Sequence, residues 1–422
     1  MQRKKNTSRR QFLKTVGLFT AAPLVVPSSV FGNDQQAAPS ERVTIGHIGA
    51  GNQGMALFRH FLSLKGAQNV AVADCFKSRR EGMAAACSGK AYADFRDVFA
   101  RDDIDAVIIT TPDHWHVPMA NAAARAKKSA YVEKPLGLTI AQNLACGKVF
   151  KENNAVFQYG TWQRGINHCW YGCQLVKQGV IGKIHAIEVD APNGGAGGVT
   201  AEAAIPADLG KDGFEMWTGP APVTAYTVDR CTPNGTYWIY DYSIGFLGGW
   251  GSHPLDMMVW ANDADLSGPI TVEGTGDIPT EGLYDTVYNW DMKIKLGDVD
   301  LVFRPGSDRT RFIGENGWIE VRRNGNSASD ENLLKTPIQD DQIILKRVVG
   351  PFHDFVECVK TKAVPASSLQ DAIRSDNISQ LCDIAVRTKS KVQWDPIKME
   401  LIDPTPEQKA MLDRPMRAPW TV

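Results

Sequence analysis

Short apolar runs alternate with amphipathic segments through the first part of the chain, a pattern typical of a parallel α/β sheet. The clearest run, residues 105–110, is continuously apolar, as strands buried on both faces are. The pattern predicts strands at 44–48, 69–73, 105–110, 130–132 and 155–159, and helices at 79–87, 94–101 and 139–153. It therefore predicts a doubly wound α/β domain over residues 41–160.

The second part of the chain has a different period. Apolar and polar residues alternate over 285–296 and 299–303, which predicts antiparallel strands. Further strands are predicted at 184–190 and 318–321, and helices at 352–361 and 371–388. We therefore expect a second, α+β domain over residues 161–395, followed by a Pro-rich extended arm over 396–422.

Glycines follow the first predicted strand in the spacing Gly49-x-Gly51-x-x-Gly54, and a helical pattern begins there. This order of strand, turn and helix suits a dinucleotide, since the turn lets a pyrophosphate approach the backbone at a helix N-terminus. Asn52 and Gln53 lie within the turn and are predicted to contact the cofactor as well.

The second strand ends in Asp74, 20 residues after Gly54. A carboxylate there can accept hydrogen bonds from the adenosine ribose and repels a 2′-phosphate, so NAD is favoured. Three nearby cations, Lys77, Arg79 and Arg80, leave NADP open.

The N-terminus predicts export. Arg9 and Arg10, within Ser-Arg-Arg-Gln-Phe-Leu-Lys, form a twin-arginine signal, so residues 1–32 are expected to be a signal peptide and 33–40 a linker. The apolar stretch is too short and Pro-broken for a stable membrane anchor. The twin-arginine export machinery is thus an expected partner, the periplasm or another exported location is expected, and a cofactor carried along should stay bound and be recycled.

Composition narrows the function classes. A net charge of −1 with 22% charged residues gives no basic excess for nucleic acid. Eight cysteines in 422 residues do not form a disulfide scaffold, and their spacing does not predict a metal site.

Two further motifs follow buried strands: Thr111-Pro112, with His116 nearby, and Glu133-Lys134-Pro135. With the glycine turn and Asp74 in this order, the chain resembles the glucose–fructose oxidoreductase, inositol dehydrogenase and rhizopine-catabolism (Gfo/Idh/MocA) family. The resemblance implies a Rossmann dinucleotide-binding domain and a C-terminal α+β domain with a large open, mainly antiparallel sheet. It also implies homo-oligomers through that sheet, a catalytic Lys134, and Glu133 close to the nicotinamide ribose.

The resemblance extends into the second domain. His253 matches the family histidine and Asp256 the acid that follows it, so His253 is expected to be the general acid/base. A nearby Lys134 ammonium would lower the pKa of His253 and keep it neutral. The family's first aspartate, however, is Gly249 here, and Asp241 is the upstream carboxylate that could replace it.

Two residues after the last strand of the first domain complete the predicted substrate site. Trp162 could stack on a sugar ring or pack in the hinge between domains, and Arg164 matches a family arginine. These residues predict an NAD(P)-dependent oxidoreductase acting on a sugar or sugar derivative. The alternative is an NAD-dependent, redox-neutral glycosidase or lyase that works through a transient keto-sugar.

Overall fold

Alternating strands and helices build a parallel sheet in the first half of the described chain. This computed structural model describes residue 38 and residues 41–422, and Val43–Val422 form one compact unit. The strands are β1 (Val43–Ile48), β2 (Ala67–Ala73), β3 (Lys90–Tyr92), β4 (Ala106–Ile109), β5 (Ser129–Val132) and β6 (Phe157–Tyr159). Their order in the sheet is β3-β2-β1-β4-β5-β6, and all neighbours are parallel.

Helices cover both faces of this sheet, which is why every residue of β4 and β5 is buried. They are α1 (Asn52–Leu62), α2 (Lys77–Ala86), α3 (Phe95–Phe99), α4 (His116–Arg125) and α5 (Ile140–Asn153). The strand order reverses between β1 and β4, and open α/β sheets bind ligands in the crevice at such a point.

A nine-stranded sheet follows the helix α6 (Asn167–Lys177). Its strands are β7 (Ile184–Ala191), β8 (Ile270–Asp277), β9 (Asn289–Leu296), β10 (Val299–Pro305), β11 (Arg309–Gly314), β12 (Gly317–Arg322), β13 (Ser327–Ala328), β14 (Val392–Asp395) and β15 (Glu400–Leu401). The order is β13-β12-β11-β7-β10-β9-β8-β14-β15, in which β7 and β10 are parallel and the other pairs are antiparallel.

One face of the nine-stranded sheet is covered and the other is open. In β9 the apolar residues are buried, whereas Asp291, Lys293 and Lys295 point outwards. The remaining helices are α7 (Gly210–Thr218), α8 (Pro233–Trp238), α9 (Phe246–Gly249), α10 (Ser252–Ala261), α11 (Pro351–Thr361), α12 (Leu369–Thr388) and α13 (Pro406–Ala410). The open face of the nine-stranded sheet carries these charged side chains, and homo-oligomer formation through it stays a prediction.

The C-terminal arm binds back on the first half. The Trp420 ring packs edge-on against Trp115, with centroids 4.7 Å apart. Arg417 donates its backbone N–H to the Pro220 carbonyl at 2.9 Å and its Nε to the Gly219 carbonyl at 3.0 Å. The arm therefore fastens the segment after α7 to the parallel sheet's helices.

The predicted fold class is confirmed: a parallel Rossmann sheet precedes a mixed, mainly antiparallel one. The arm expected to be extended contains the short helix α13. Among the described helices, none has both the length and the apolar character needed to cross a bilayer. The predicted signal peptide, and the predicted linker apart from residue 38, lie outside the described residues, and the predicted domain boundaries stay predictions.

Candidate functional site

The glycine turn between β1 and α1 is built by close packing on two sides. Gly49 has φ +92°, and a Cβ there would lie 2.7 Å from the Thr110 carbonyl oxygen. A Cβ on Gly54 would lie 2.2 Å from the Gly49 oxygen. Gly51 is different, because the nearest atom to its Cβ would be an Arg79 nitrogen 3.9 Å away. The turn thus leaves its open side, at Gly51, for a ligand.

A cavity of about 400 Å³ lies at this crevice and has walls from both halves of the chain. Most residues predicted from the sequence line it: Gly49, Gly51, Asn52, Gln53, Asp74, Thr111, Pro112, His116, Glu133, Lys134, Trp162 and His253. Gly54 lies behind the turn, where it allows α1 to pack against the strand. The open glycine turn and this donor set fit a dinucleotide.

Asp74 stands at the end of β2 and braces the turn. Its Oδ2 accepts from the Ala50 N–H at 2.6 Å and its Oδ1 from the Phe76 N–H at 2.7 Å. Burial is the largest cause of its raised pKa. Each carboxylate oxygen keeps a further lone pair for a ribose hydroxyl. Arg79 stacks on the Phe76 ring at 3.8 Å and also lines the cavity, so both signs of charge meet the cofactor position.

Lys134 connects the two halves. Its Nζ donates to the Gly249 carbonyl oxygen at 2.8 Å and lies 5.8 Å from the Tyr237 ring centroid. Glu133 beside it is buried, and its Oε1 accepts from Gln53 Nε2 at 2.9 Å. Burial raises the pKa of the Glu133 carboxyl. The ammonium group is therefore held at the junction of the two halves, inside the cavity wall.

His253, on α10, lines the same cavity as Lys134. Its pKa lies well below the usual range, first because the ring is buried and then because Lys134 and Arg323 are positively charged. The expected effect of Lys134 thus has the predicted direction, although burial is the larger cause. Its Nδ1 has no hydrogen-bond partner among the described residues. This nitrogen is buried, and a neutral imidazole can accept a proton at an unprotonated ring nitrogen.

His116 is already occupied by the protein. Its Nδ1 lies 2.6 Å from the Pro135 carbonyl oxygen and its Nε2 lies 2.9 Å from that of Thr111. Burial lowers the pKa of His116 to about 4, so the ring is neutral near pH 7. A neutral ring has one N–H, so it donates a hydrogen bond to only one of these carbonyls while it packs between the loops that carry the Thr-Pro and Glu-Lys-Pro motifs.

Asp113 is a cavity residue that sequence reasoning missed. It is buried, and its Oδ2 accepts from Ser243 Oγ at 2.7 Å. Burial raises the pKa of Asp113 to about 7, while Ser243 and Lys134 act in the opposite direction. Its place directly after Pro112 was the available signal.

An aromatic wall closes the same end of the cavity. The Arg323 guanidinium lies 5.2 Å from the Trp162 ring centroid and 5.0 Å from that of Trp250. Its Nε also lies 2.6 Å from an Asp308 oxygen. Trp250 and Arg323 had no signal in the sequence, because Arg323 follows β12, more than 150 residues from Trp162.

Three predicted substrate contacts lie outside the cavity lining. Arg164 Nε donates to Asp256 Oδ2 at 2.8 Å, and its Nη1 donates to Asp371 at 2.7 Å. Arg164 and Asp256 are both buried and neutralise each other, so the structure places this pair in the core. Asp241 is half-buried, and burial followed by the charge of Asp285 raises its pKa. Their expected role in substrate binding therefore stays a prediction.

Two family models match the chain. "Oxidoreductase family, NAD-binding Rossmann fold" matches residues 43–161, and "Oxidoreductase family, C-terminal alpha/beta domain" matches residues 174–422, both of the Gfo/Idh/MocA group. The two matches cover the parallel sheet with the glycine turn and the whole nine-stranded sheet.

Individual relatives share only a low sequence identity with this chain. The α-N-acetylgalactosaminidase of Shewanella oneidensis is 28% identical over 211 residues, which cover 42% of this chain and 44% of that protein. The chain therefore spans less than half the length of this relative.

Two solved structures share the fold. WlbA dehydrogenase of Chromobacterium violaceum, in complex with NADH and UDP-GlcNAcA, has a TM-score of 0.63 at 13% identity, covering 85% of this chain and 97% of that one. Myo-inositol 2-dehydrogenase of Lactobacillus plantarum has a TM-score of 0.58 at 19% identity, covering 83% and 99%.

Proposed function

The chain belongs to the Gfo/Idh/MocA oxidoreductase family, and from this we propose that it is an exported NAD(P)-dependent oxidoreductase of sugars or sugar derivatives that keeps its cofactor bound. One observation carries the proposal. Lys134 and His253 come from different halves of the chain, yet both line one cavity with the glycine turn. A base and a cation at the end of a dinucleotide site are what the oxidation of a secondary alcohol requires.

Different residues of the cavity have different roles in the proposed reaction. Gly51 and the N-terminus of α1 would hold the pyrophosphate, and Asp74 the adenosine ribose. The bound nicotinamide supplies a hydride acceptor. His253, neutral because its pKa is depressed, accepts the hydroxyl proton of the sugar while the carbon loses its hydride and becomes a ketone. The Lys134 ammonium stabilises the negative charge that develops on the oxygen.

Retention of the cofactor is the second part of the proposal. It rests on the twin arginines Arg9 and Arg10, which lie outside the described residues, and on the export of such proteins in the folded state. It is supported by one long segment of the second half, because several of its residues form part of the cavity wall. The residues of that segment that line the cavity are Met216, Trp217, Cys231, Thr232, Pro233, Thr236 and Tyr237.

A redox-neutral glycosidase is the second candidate. It is favoured by the relative named as an α-N-acetylgalactosaminidase and by the missing family aspartate at Gly249. In this reaction the ring alcohol is oxidised, the neighbouring C–H loses a proton, the aglycone leaves, water adds, and the ketone is reduced again. Electrons balance within one turnover, so no external acceptor is consumed.

Cofactor retention is tested first. Protein purified from a host with twin-arginine export is dialysed, denatured and assayed for NAD; active protein without any nicotinamide dinucleotide would contradict retention.

A second experiment separates the two functions. The holoenzyme is incubated in D₂O with p-nitrophenyl glycosides and no acceptor. A keto-sugar formed once per site, and again only after an acceptor dye is added, supports the oxidoreductase. Sustained nitrophenol release with deuterium beside the oxidised carbon supports the glycosidase instead.

A further inference from the structure

Helix α9 ends at Gly249, beside the cavity residues Tyr237 and Asp113. Gly249 occupies the position where the family motif has an aspartate, and a Cβ built there would meet nothing closer than 3.8 Å. The three nearest atoms belong to Tyr237, Phe246 and Asp113, and the Asp113 atom is the carboxylate Oδ2, 4.0 Å away. A carboxylate from the nucleotide-binding half therefore borders the space that an aspartate at 249 would enter.

The surroundings of Asp113 direct it to the reacting end of the cavity. It lines the cavity together with Lys134 and His253. The 2.7 Å hydrogen bond from Ser243 Oγ holds one carboxylate oxygen in place. Lys134 Nζ in turn binds the carbonyl of Gly249 at 2.8 Å, so the ammonium and the carboxylate border the same residue from two sides.

We propose that Asp113 is a catalytic carboxylate that replaces the acid missing at position 249, binding the substrate hydroxyl beside Lys134 so that His253 can accept its proton. This inference rests on the proposed function. Asp113 accepts a hydrogen bond and takes up no proton during the reaction: the hydroxyl proton goes to His253 and the hydride leaves carbon. The rival carboxylate, Asp241, is not among the described residues that line the cavity.

The electrostatics predict a pH signature. The titratable and charged groups that face Asp113 are Lys134, Glu133, Tyr237 and Asp376. Burial raises the pKa of Asp113 to about 7, so the group accepts hydrogen bonds fully only above that pH. His253 is neutral throughout this range because its pKa is far lower. The kcat/KM should therefore rise with pH through about 7.

The test removes the carboxylate at position 113 and then introduces one at position 249. Asp113→Asn keeps the shape and should lower kcat/KM on p-nitrophenyl glycosides, with an acceptor dye, by ~10- to 100-fold, the scale of a lost hydrogen bond to a charged group, with loss of the limb near pH 7. Adding Gly249→Asp should restore about 10-fold of the rate together with a pH limb. Asp241→Asn is the rival variant. Near-normal turnover in Asp113→Asn, or a large loss only in Asp241→Asn, would overturn the proposal.

A single variant keeps the test decisive if Asp113→Asn folds poorly. Gly249→Asp alone places a second carboxylate beside Asp113, and like charges raise one of the two pKa values. The other carboxylate of the pair ionises at lower pH and supplies the acceptor, so the limb of kcat/KM should move to lower pH. An unchanged limb would show that Asp113 does not face position 249.

A readout without turnover separates this inference from the proposed function. Lys134 is acetylated with acetic anhydride in the holoenzyme and followed by mass spectrometry. Removing the carboxylate weakens the electrostatic attraction that holds the Lys134 side chain, so Asp113→Asn should speed acetylation of Lys134 by up to ~10-fold, and Gly249→Asp should slow it again. If no glycoside reacts, the proposed function is wrong, but the acetylation rates still show whether Asp113 acts on Lys134. Unchanged acetylation rates would overturn the inference.

Discussion

At the residue scale, Lys134 and His253 should be indispensable but not independent. Each substitution to alanine removes one partner of a single proton-transfer unit, so each should lower kcat by ~100-fold or more, and the double variant should fall well short of the product. Turnover is measured with cofactor content checked by denaturation. His185→Ala is a suitable control, because His185 is exposed on β7 and lies outside the cavity lining. Near-normal turnover in His253→Ala would require another base.

Asp74 should decide between the two dinucleotides. Asp74→Ala also removes the acceptors of two backbone N–H groups, so binding of both cofactors should weaken. The loss for NAD should exceed that for NADP by about 1.5–3 kcal/mol, since only NAD loses hydrogen bonds to a charged group without gaining relief from repulsion. Both dissociation constants are measured by titration. Asp208→Ala, which removes the carboxylate that binds Ser78, is the control; an equal loss for both cofactors would show that Asp74 does not recognise the ribose.

Sequence reasoning worked for residues whose neighbours are close along the chain. Gly49, Gly51 and Asp74 belong to one strand-helix-strand unit, β1-α1-β2, so their spacing defines their positions. Asp113 and Gly249 are brought together by packing between the two halves, more than 130 residues apart, and spacing carries no trace of it. Motif matching also cannot show which charges neutralise each other, and the buried ion pair of Asp256 with Arg164 could not be predicted for that reason.

At the scale of elements, the glycine turn offers two substitutions with opposite outcomes. In Gly54→Ala the new methyl group would clash with the Gly49 carbonyl, and the unfolding free energy should fall by about 1–3 kcal/mol. In Gly51→Ala the methyl group meets only Arg79, so stability should change little while cofactor content drops. Thermal unfolding and NAD content are compared in both variants. Equal stability in the two would contradict the packing seen at the turn.

The buried ion pair joins the segment after β6 to helices α10 and α12. Asp256→Ala leaves Asp371 as the one carboxylate paired with the buried Arg164 guanidinium, which also donates to the Ala366 carbonyl, so the free energy of unfolding should fall by ~3 kcal/mol. Denaturant unfolding measures this, and Asp371→Ala, at the partly exposed partner, should cost less. Unchanged stability with a raised KM in Asp256→Ala would return Asp256 to the substrate site.

At the scale of the whole molecule, the C-terminal arm should slow cofactor loss. Trp115 lines the cavity and packs against Trp420, and an edge-to-face pair contributes about 0.5–1.5 kcal/mol. Trp420→Ala should therefore speed NAD release by up to ~10-fold, measured by dilution of the holoenzyme. Ile397→Ala, an exposed truncation between β14 and β15, is the control. Identical release rates in the two variants would show that the arm does not stabilise the bound state.

The outermost strands of both sheets have a consequence for behaviour in a crowded solution. Those strands, β3, β6, β13 and β15, are each only two or three residues long. Aggregation by strand addition needs a row of unpaired N–H and C=O groups, and short edges offer little of it. The edges of both sheets therefore offer neighbouring molecules few unpaired backbone groups. Fibre growth by strand addition is disfavoured even at high protein concentration.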